Sequence, residues 1–327
     1  MKEDYKQLVE KGIGQRNSVT TISIVTPCFN EEGNVEELYS QIKQVMAIFD
    51  DYNYEHIFID NHSTDNTVLL LRKIASQDQR VKVILNERNF GHVRSPYYGM
   101  LQAHGDAVIV LASDLQDPPE LIPEFIHQWE QGYKVVMGVK TQSEETPIFW
   151  ALRTLYYRML HSMAEVDLVE HATGFGLYDR HVIETLRSLN DPYPYFRGLI
   201  AELGYERATI SYLQPARKRG ITKNNFYTLF DMALLGMTNH SKVPLRLAVI
   251  VGLISGVLSF MIGMFYLIYK LIFWQDFSLG LAPVAVGLFF FSSVQLFFLG
   301  VVGEYIGAIY TQVLKRPLVI EKERINF

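Results

Sequence analysis

Two stretches near the C-terminus constrain this chain most. From Leu247 to Tyr269 there are 23 consecutive residues without a charge, and from Leu279 to Gly303 there are 25. A helix needs about 20 apolar residues to cross the hydrocarbon core of a bilayer, so both runs are predicted to be membrane spans. The short connector, Lys270 to Ser278, carries Trp274, a residue suited to the headgroup boundary. Basic residues flank the pair on the outside, Lys242 and Arg246 before it and Lys315 and Arg316 after it. The positive-inside rule then places both termini in the cytoplasm. Met1 to Ser18 is polar and charged and lacks the apolar centre of a signal peptide. A single cysteine, Cys28, excludes an internal disulfide and fits a reducing compartment. The net charge of −5 gives no support to a nucleic-acid partner.

The first half of the chain alternates strand, polar turn and helix. Thr21 to Thr26 reads as a strand and is followed by a helix from about Val35 to Phe49. Glu55 to Ile59 precedes a helix through Leu69, Leu70, Arg72 and Ile74. Val81 to Leu85 precedes a helix to about His104, and Ala107 to Leu111 forms a fourth strand. Such alternation predicts an α/β domain with a mostly parallel sheet between helices, and the turns after the strands share its carboxyl edge. Ligands bind at that edge in open α/β sheets.

Three of the four turns carry a carboxylate close to the strand end: Glu31, Asp60 and Asp114. In Leu111-Ala112-Ser113-Asp114-Leu115-Gln116-Asp117-Pro118-Pro119-Glu120, Asp114 and Gln116 are two apart. On an extended segment their oxygens would point to one side, suiting Mg²⁺ or Mn²⁺ that takes its other ligands from a diphosphate and water. Neither a G-x-G-x-x-G after the first strand nor a G-x-x-x-x-G-K-[ST] occurs. A nucleotide would therefore be held by acidic and polar turns.

Four motifs, P-C-F-N-E-E, I-D-N-H-S-T-D-N-T, E-R-N-F-G and S-D-L-Q-D-P-P-E, occur in that order. They resemble glycosyltransferase family 2 enzymes of the GT-A fold. With two C-terminal spans added, the chain resembles the polyprenyl-phosphate glycosyltransferases, the dolichol-phosphate mannose synthase and bactoprenol glucosyltransferase type. The likeness continues through Arg197 to Tyr205, Arg217 to Lys223 and Val243 to Arg246. It implies inverting transfer of a hexose or N-acetylhexosamine from a nucleotide-sugar, by family weight a UDP-sugar, to undecaprenyl phosphate. A homo-oligomer in the cytoplasmic membrane and a separate flippase for the product belong to the same implication.

Carried over by motif, Pro27, Phe29, Asn30 and Glu31 would line the base and ribose site, and Asp60 would contact the nucleoside. Arg88, Asn89 and Gly91 would border the donor phosphates. Asp114 and Gln116 would hold the metal and carry the catalytic role. Arg153, Arg158, Arg197, Arg217 and Lys223 would contact phosphate on donor or acceptor. Three departures stand out: Ala112 replaces the first carboxylate of D-x-D-x-Q, Asn61-His62 replaces the acid and glycine of D-D-G-S, and Gly174 and Gly176 replace the Asp and Arg of G-D-F-R-L. Ala112, Gly174 and Gly176 keep open a catalytically weakened homologue acting as a binding or scaffold subunit. A family 2 transferase with another acceptor is also open, although no Q-x-x-R-W of processive synthases is present.

From Gly138 to about Pro194 the sheet pattern breaks up; Arg207 to Leu213 reads as a strand leading into Arg217-Lys218-Arg219. Phe226, Leu229, Phe230, Ala233, Leu234 and Met237 form one apolar helical stripe, which would lie in the headgroup layer or dock on the soluble domain. The expected organisation is a polar extension (1–20), a catalytic domain (21–220), a juxtamembrane helix (221–242), a hairpin (243–305) and a tail (306–327). His161, His171 and His181 lack metal-ligand spacing. His62 and His92 lie in the binding turns, and Cys28 reads as packing. Small residues such as Gly252, Gly256, Gly287 and Gly300 would permit close helix packing within the hairpin or between subunits.

Overall fold

The computed structural model describes residues 20–142, 169, 172–215, 234, 236, 238, 241–273 and 281–327. The chain divides into two compact units. One combines the chain up to Asn225, apart from residues 158–165, with Lys315–Phe327; the other combines Arg158–Glu165 with Phe226–Leu314.

The first unit is built on an eight-stranded sheet. Its strands are β1 (Thr20–Cys28), β2 (Tyr52–Asp60), β3 (Val81–Asn86), β4 (Ala107–Val110), β5 (Val135–Gln142), β6 (Ala172–Asp179), β7 (Arg207–Leu213) and β8 (Glu321–Ile325). Their order across the sheet is β7-β5-β6-β4-β1-β2-β3-β8. β4, β1, β2 and β3 are mutually parallel, as are β5 and β7; β6 runs antiparallel to β4 and β5, and β8 antiparallel to β3. The helices are α1 (Val35–Met46), α2 (Thr67–Gln77), α3 (Gly91–Leu101), α4 (Ile122–Glu130), α5 (Arg180–Leu189) and α6 (Phe196–Glu202).

Side chains alternate across β1 and β2, and both faces are apolar. Ile22 and Ile24 meet Leu38 and Ile42 of α1 and Phe125 of α4. Phe58 joins Leu71 and Ile74 of α2. Val25, Ile57 and Ile59 on the other face meet Tyr97 and Met100 of α3 and Val182 and Leu186 of α5. A parallel sheet covered on both faces reads as near-continuous apolar runs, which is why the first four strands were visible in the sequence. The chain steps outward from β1 to β2 to β3, then crosses back to place β4 on the far side of β1. Right-handed crossovers put the helix of the returning step, α3, on the face opposite α1 and α2.

The structure departs from the sequence reading on both flanks of this frame. The expected loss of sheet pattern at Gly138 does not occur, because β5 continues to Gln142 and pairs with both β6 and β7. The tail supplies β8, whose Arg324 and Glu323 lie opposite Ile84 and Leu85. Preceding it, Val319 is buried and the Glu87 N–H donates to the Ile320 carbonyl at 2.9 Å.

The second unit contains α7 (Val243–Ile272) and α8 (Leu281–Leu314). At 1.5 Å per residue, the 30 residues of α7 reach about 45 Å, more than the roughly 30 Å of a bilayer core. Both helices are long and apolar enough to cross a membrane, and Phe260, Phe265, Phe289 and Phe297 stand exposed along them. The Tyr305 hydroxyl donates to the Ser241 carbonyl beside the start of α7. α8 runs eleven residues beyond the Gly303 limit of the uncharged run. Trp274, His161, His171 and most of the amphipathic stripe at Phe226 to Met237 lie outside the described residues.

Candidate active site

The strand order reverses between β1 and β4, and the carboxyl end of such a switch point opens into a crevice. Cys28 is level with Asp60, and Val25 with Val110. The turns after β1, β2 and β4 therefore emerge together. Pro27 is the penultimate residue of β1, and Phe29 leads into the first turn.

The first two turns are laced to each other. Asn30, at φ +57°, donates its N–H to Ser63 Oγ at 2.8 Å, and its Oδ1 accepts the Thr64 N–H at 2.8 Å. The Glu31 N–H donates to Thr67 Oγ1 at 2.8 Å, and Glu31 Oε2 accepts from Asn34 Nδ2 at 2.6 Å. Asp60 is 1% exposed, and its carboxylate accepts both the N–H and the hydroxyl of Ser63. Burial raises its pKa, against the lowering effect of those hydrogen bonds. Asp60 thus shapes the turn from beneath. His62 sits at φ +67°, where the D-D-G-S pattern has its glycine; a residue with a Cβ is strained there. Cys28 is buried, and burial with nearby Asp60 and Glu31 raises its thiol pKa, consistent with packing.

Asn61, which the sequence marked only as a departure from D-D-G-S, joins this pair to the turn after β3. Its Oδ1 accepts the Phe90 N–H at 2.9 Å and Asn86 Nδ2 at 3.3 Å, and its Nδ2 donates to Asn89 Oδ1 at 2.9 Å. Asn89 Oδ1 also accepts the N–H of Gly91, the first residue of α3, at 2.8 Å. Arg88 stacks over Phe90, 4.1 Å from the ring centroid.

The turn after β4 corrects one expectation. Asp114 and Gln116 do not lie on an extended segment: Leu115 between them takes φ +60°, and Asp114 Oδ1 accepts the Gln116 N–H at 3.2 Å. The two residues share one tight turn. Its anchor is Asp117, 7% exposed, whose Oδ2 accepts the Ala112 N–H at 3.0 Å and whose Oδ1 accepts the Tyr212 hydroxyl at 3.1 Å. Burial raises the Asp117 pKa and Asp114 adds to it. Gln116 Nε2 reaches the Pro215 carbonyl at 3.5 Å. Asp117 and Tyr212 were not singled out in the sequence; the Asp before Pro-Pro was the available signal.

Among the described residues no group of three His, Cys, Asp or Glu side chains is placed to hold a metal. One carboxylate and one amide in a single turn nevertheless fit a hard cation that draws most of its oxygens from a diphosphate and water. On β6, Gly174 takes φ +95° and Gly176 φ +158°; a Cβ on Gly176 would stand 2.2 Å from the Val136 carbonyl oxygen. No side chain fits at residue 176 unless β5 moves, so the absence of an Arg there is built into the strand pair. Arg197 is on α6, and its charge acts on buried Tyr178 of β6. Arg153, Arg158, Arg217 and Lys223 lie outside the described residues.

Residues 23–187 match Glycosyl transferase family 2. The uncharacterized glycosyltransferase YkcC of Bacillus subtilis (strain 168) is 36% identical over 91% of this chain and 92% of its own length. The chain belongs to glycosyltransferase family 2. The SfII prophage-derived bactoprenol glucosyl transferase of Shigella flexneri is also similar, 32% identical over 92% of this chain and 97% of its own length. A crystal structure of glucosyl-3-phosphoglycerate synthase from Mycobacterium tuberculosis with Mn²⁺, UDP and phosphoglyceric acid is similar at a TM-score of 0.48, with 19% identity over 73% of this chain and 80% of that one. The sheet of this family 2 transferase is GT-A-like, and the matched residues run from β1 through most of α5.

Proposed function

We propose that this glycosyltransferase is membrane-bound and moves a hexose or N-acetylhexosamine from a UDP-sugar to undecaprenyl phosphate, with inversion. The observation that carries the reading is that relatives named bactoprenol glucosyl transferase align over 92% of the chain, a length that must take in the two apolar helices as well as the sheet. Topology with both termini in the cytoplasm follows from the basic flanks of the hairpin.

In this reading Pro27, Phe29, Asn30 and Glu31 border the nucleoside over the Asp60 turn, and Arg88, Asn89 and Gly91 border the diphosphate. The acceptor is a phosphate monoester with a second pKa near about 6, largely dianionic at neutral pH. It attacks the anomeric carbon without a strong general base. Asp114 and Gln116 would hold Mg²⁺ or Mn²⁺, which when bound supplies neutralisation of the charge developing on the leaving diphosphate. Arg197, with the cations of the sequence between β7 and α7, would offset repulsion between the two phosphate-bearing substrates.

The test uses purified full-length protein in detergent with undecaprenyl phosphate, labelled UDP- and GDP-sugars and Mg²⁺ or Mn²⁺. Label extracted into organic solvent from one donor, and lost in Asp114→Ala, is the expected result. Ala112 and the closed backbone at Gly176 favour a second reading, a homologue that binds nucleotide without turning over. UDP binding with no lipid product from any donor would replace the first reading with that one.

A further inference from the structure

The segment between α8 and β8 brings together cations that the described residues leave without a carboxylate. α8 ends at Leu314, and Lys315 and Arg316 follow directly. The Arg94 guanidinium of α3 donates through Nη2 to the Pro317 carbonyl at 2.9 Å, so Arg316 is adjacent to the Arg94 contact. Arg88 is six residues before Arg94, across the turn that opens α3. Among the described residues, the charged groups acting on Arg94 are Arg88 and Arg316, both repulsive, besides Tyr193; burial and these two arginines lower its pKa. Arg94 Nε is buried and has no hydrogen-bond partner among the described residues.

A buried guanidinium N–H without an acceptor, in the field of two further guanidinium groups, is unfavourable unless an anion completes it. Arginine clusters with this deficit match the several oxygens of a phosphate, which accept from a guanidinium in bidentate fashion. The source of the phosphate is indicated by chain order: Arg316 is the second residue after a helix long and apolar enough to cross a membrane. A cation so placed in the sequence meets lipid-borne phosphate before soluble anions.

We propose that Arg94 and Arg316, with Arg88 adding to the field, form a binding site for a phosphate group carried by a membrane lipid. The occupant would neutralise the cluster and hold Pro317 to Ile320 against α3 and the turn after β3. The site deepens the reading of a lipid-phosphate acceptor and rests on it for the identity of the natural ligand.

The experiment measures binding and needs no turnover. Full-length protein in uncharged detergent is titrated with a short-chain polyprenyl phosphate, with phosphatidylglycerol in mixed micelles, and with UDP. Wild type is compared with Arg94→Gln and Arg316→Ala, and amide exchange across Glu321–Ile325 monitors whether β8 remains docked. Each variant is expected to bind polyprenyl phosphate about tenfold more weakly or worse, the scale of one lost charged hydrogen bond, with UDP binding unchanged. Equal weakening for phosphatidylglycerol supports a site for lipid phosphate in general; weakening for polyprenyl phosphate alone supports an acceptor site. Unchanged lipid binding in Arg316→Ala with β8 protected overturns the proposal, as does weakening confined to UDP. Failure of the transferase reading would instead appear in the organic-extraction assay above, as no labelled lipid from a wild type that binds polyprenyl phosphate normally.

Discussion

The two edges of the sheet treat buried carboxylates in opposite ways. At the amino edge, Glu55 pairs with Lys82 at 2.6 Å, Asp78 with Arg80 at 2.7 Å, and Asp179 with Lys134 at 3.2 Å while also accepting from Trp129 Nε1 at 2.8 Å. All three have lowered pKa values: Arg80 is the main cause for Asp78, and for Glu55 and Asp179 hydrogen bonds outweigh burial. At the carboxyl edge, Asp60 and Asp117 are as deeply buried, accept from neutral donors among the described residues, and have raised pKa values. One edge has its charges compensated for stability. The other holds its buried carboxylates without an ion pair among the described residues, Lys140 only weakly offsetting the burial of Asp117, beneath the turns that would receive a metal and a nucleotide, the pattern of a functional site.

That contrast is broken most severely at Asp114. Asp114→Ala is expected to lower transfer by about a hundredfold or more, measured as organic-soluble label, while the thermal midpoint stays put because the side chain is only half-buried. An equal fall in midpoint would make the residue structural.

Next in size are paired substitutions at the two edges. Asp117→Ala removes the acceptor of both the Ala112 N–H and the Tyr212 hydroxyl, at a cost of about 1–3 kcal/mol, and displaces the turn bearing Asp114. Denaturant midpoints should fall and kcat should fall with them; Tyr212→Phe should show the same effects in smaller measure. Asp179→Asn should cost a similar amount of stability, but activity per folded molecule should stay near wild type. Parallel losses of activity at both edges would remove the distinction.

The pH dependence of stability sharpens the comparison further. Glu55 has a lowered pKa, so its contribution is fully present above the unfolded value of about 4.3 and is lost as pH falls through the folded value. Asp60 has a raised pKa, so its contribution is present below the unfolded value of about 3.9 and is lost as pH rises through the folded one. Glu55→Gln should therefore flatten the acid limb of a stability profile, and Asp60→Asn should steepen it. Matching slopes would show that the edges do not differ.

The smallest effect is expected at His62. His62→Gly relieves a left-handed residue at a cost in unfolded-state entropy, for a net gain of a few tenths to about 1 kcal/mol, read as a rise in thermal midpoint. His62→Val should lower it.

The frame of this site was legible because β1 to β4 are apolar on both faces and end in polar turns. β5 and β6 were not, since Gly138, Gly174 and Gly176 interrupt the apolar pattern and Gly176 is there for the close approach of two backbones. β8, Glu-Lys-Glu-Arg-Ile, carries the charges of an edge strand and no apolar alternation. The Asp114 turn was found, but its shape was misread because the left-handed residue is a leucine. Asp117 and Tyr212 act as one unit across 95 positions of sequence, a pairing that no local pattern announces.

β8 also orders events in time. The ribosome delivers β1 to β7 first and then both long apolar helices; only after these can Glu321–Ile325 reach β3. Throughout that interval the outer side of β3 is an open strand edge, able to pair with another nascent chain. In the membrane-bound reading proposed above, insertion of the two helices and closure of the sheet would be coupled: a chain whose helices stalled on their way into a membrane would leave β3 without its outer partner.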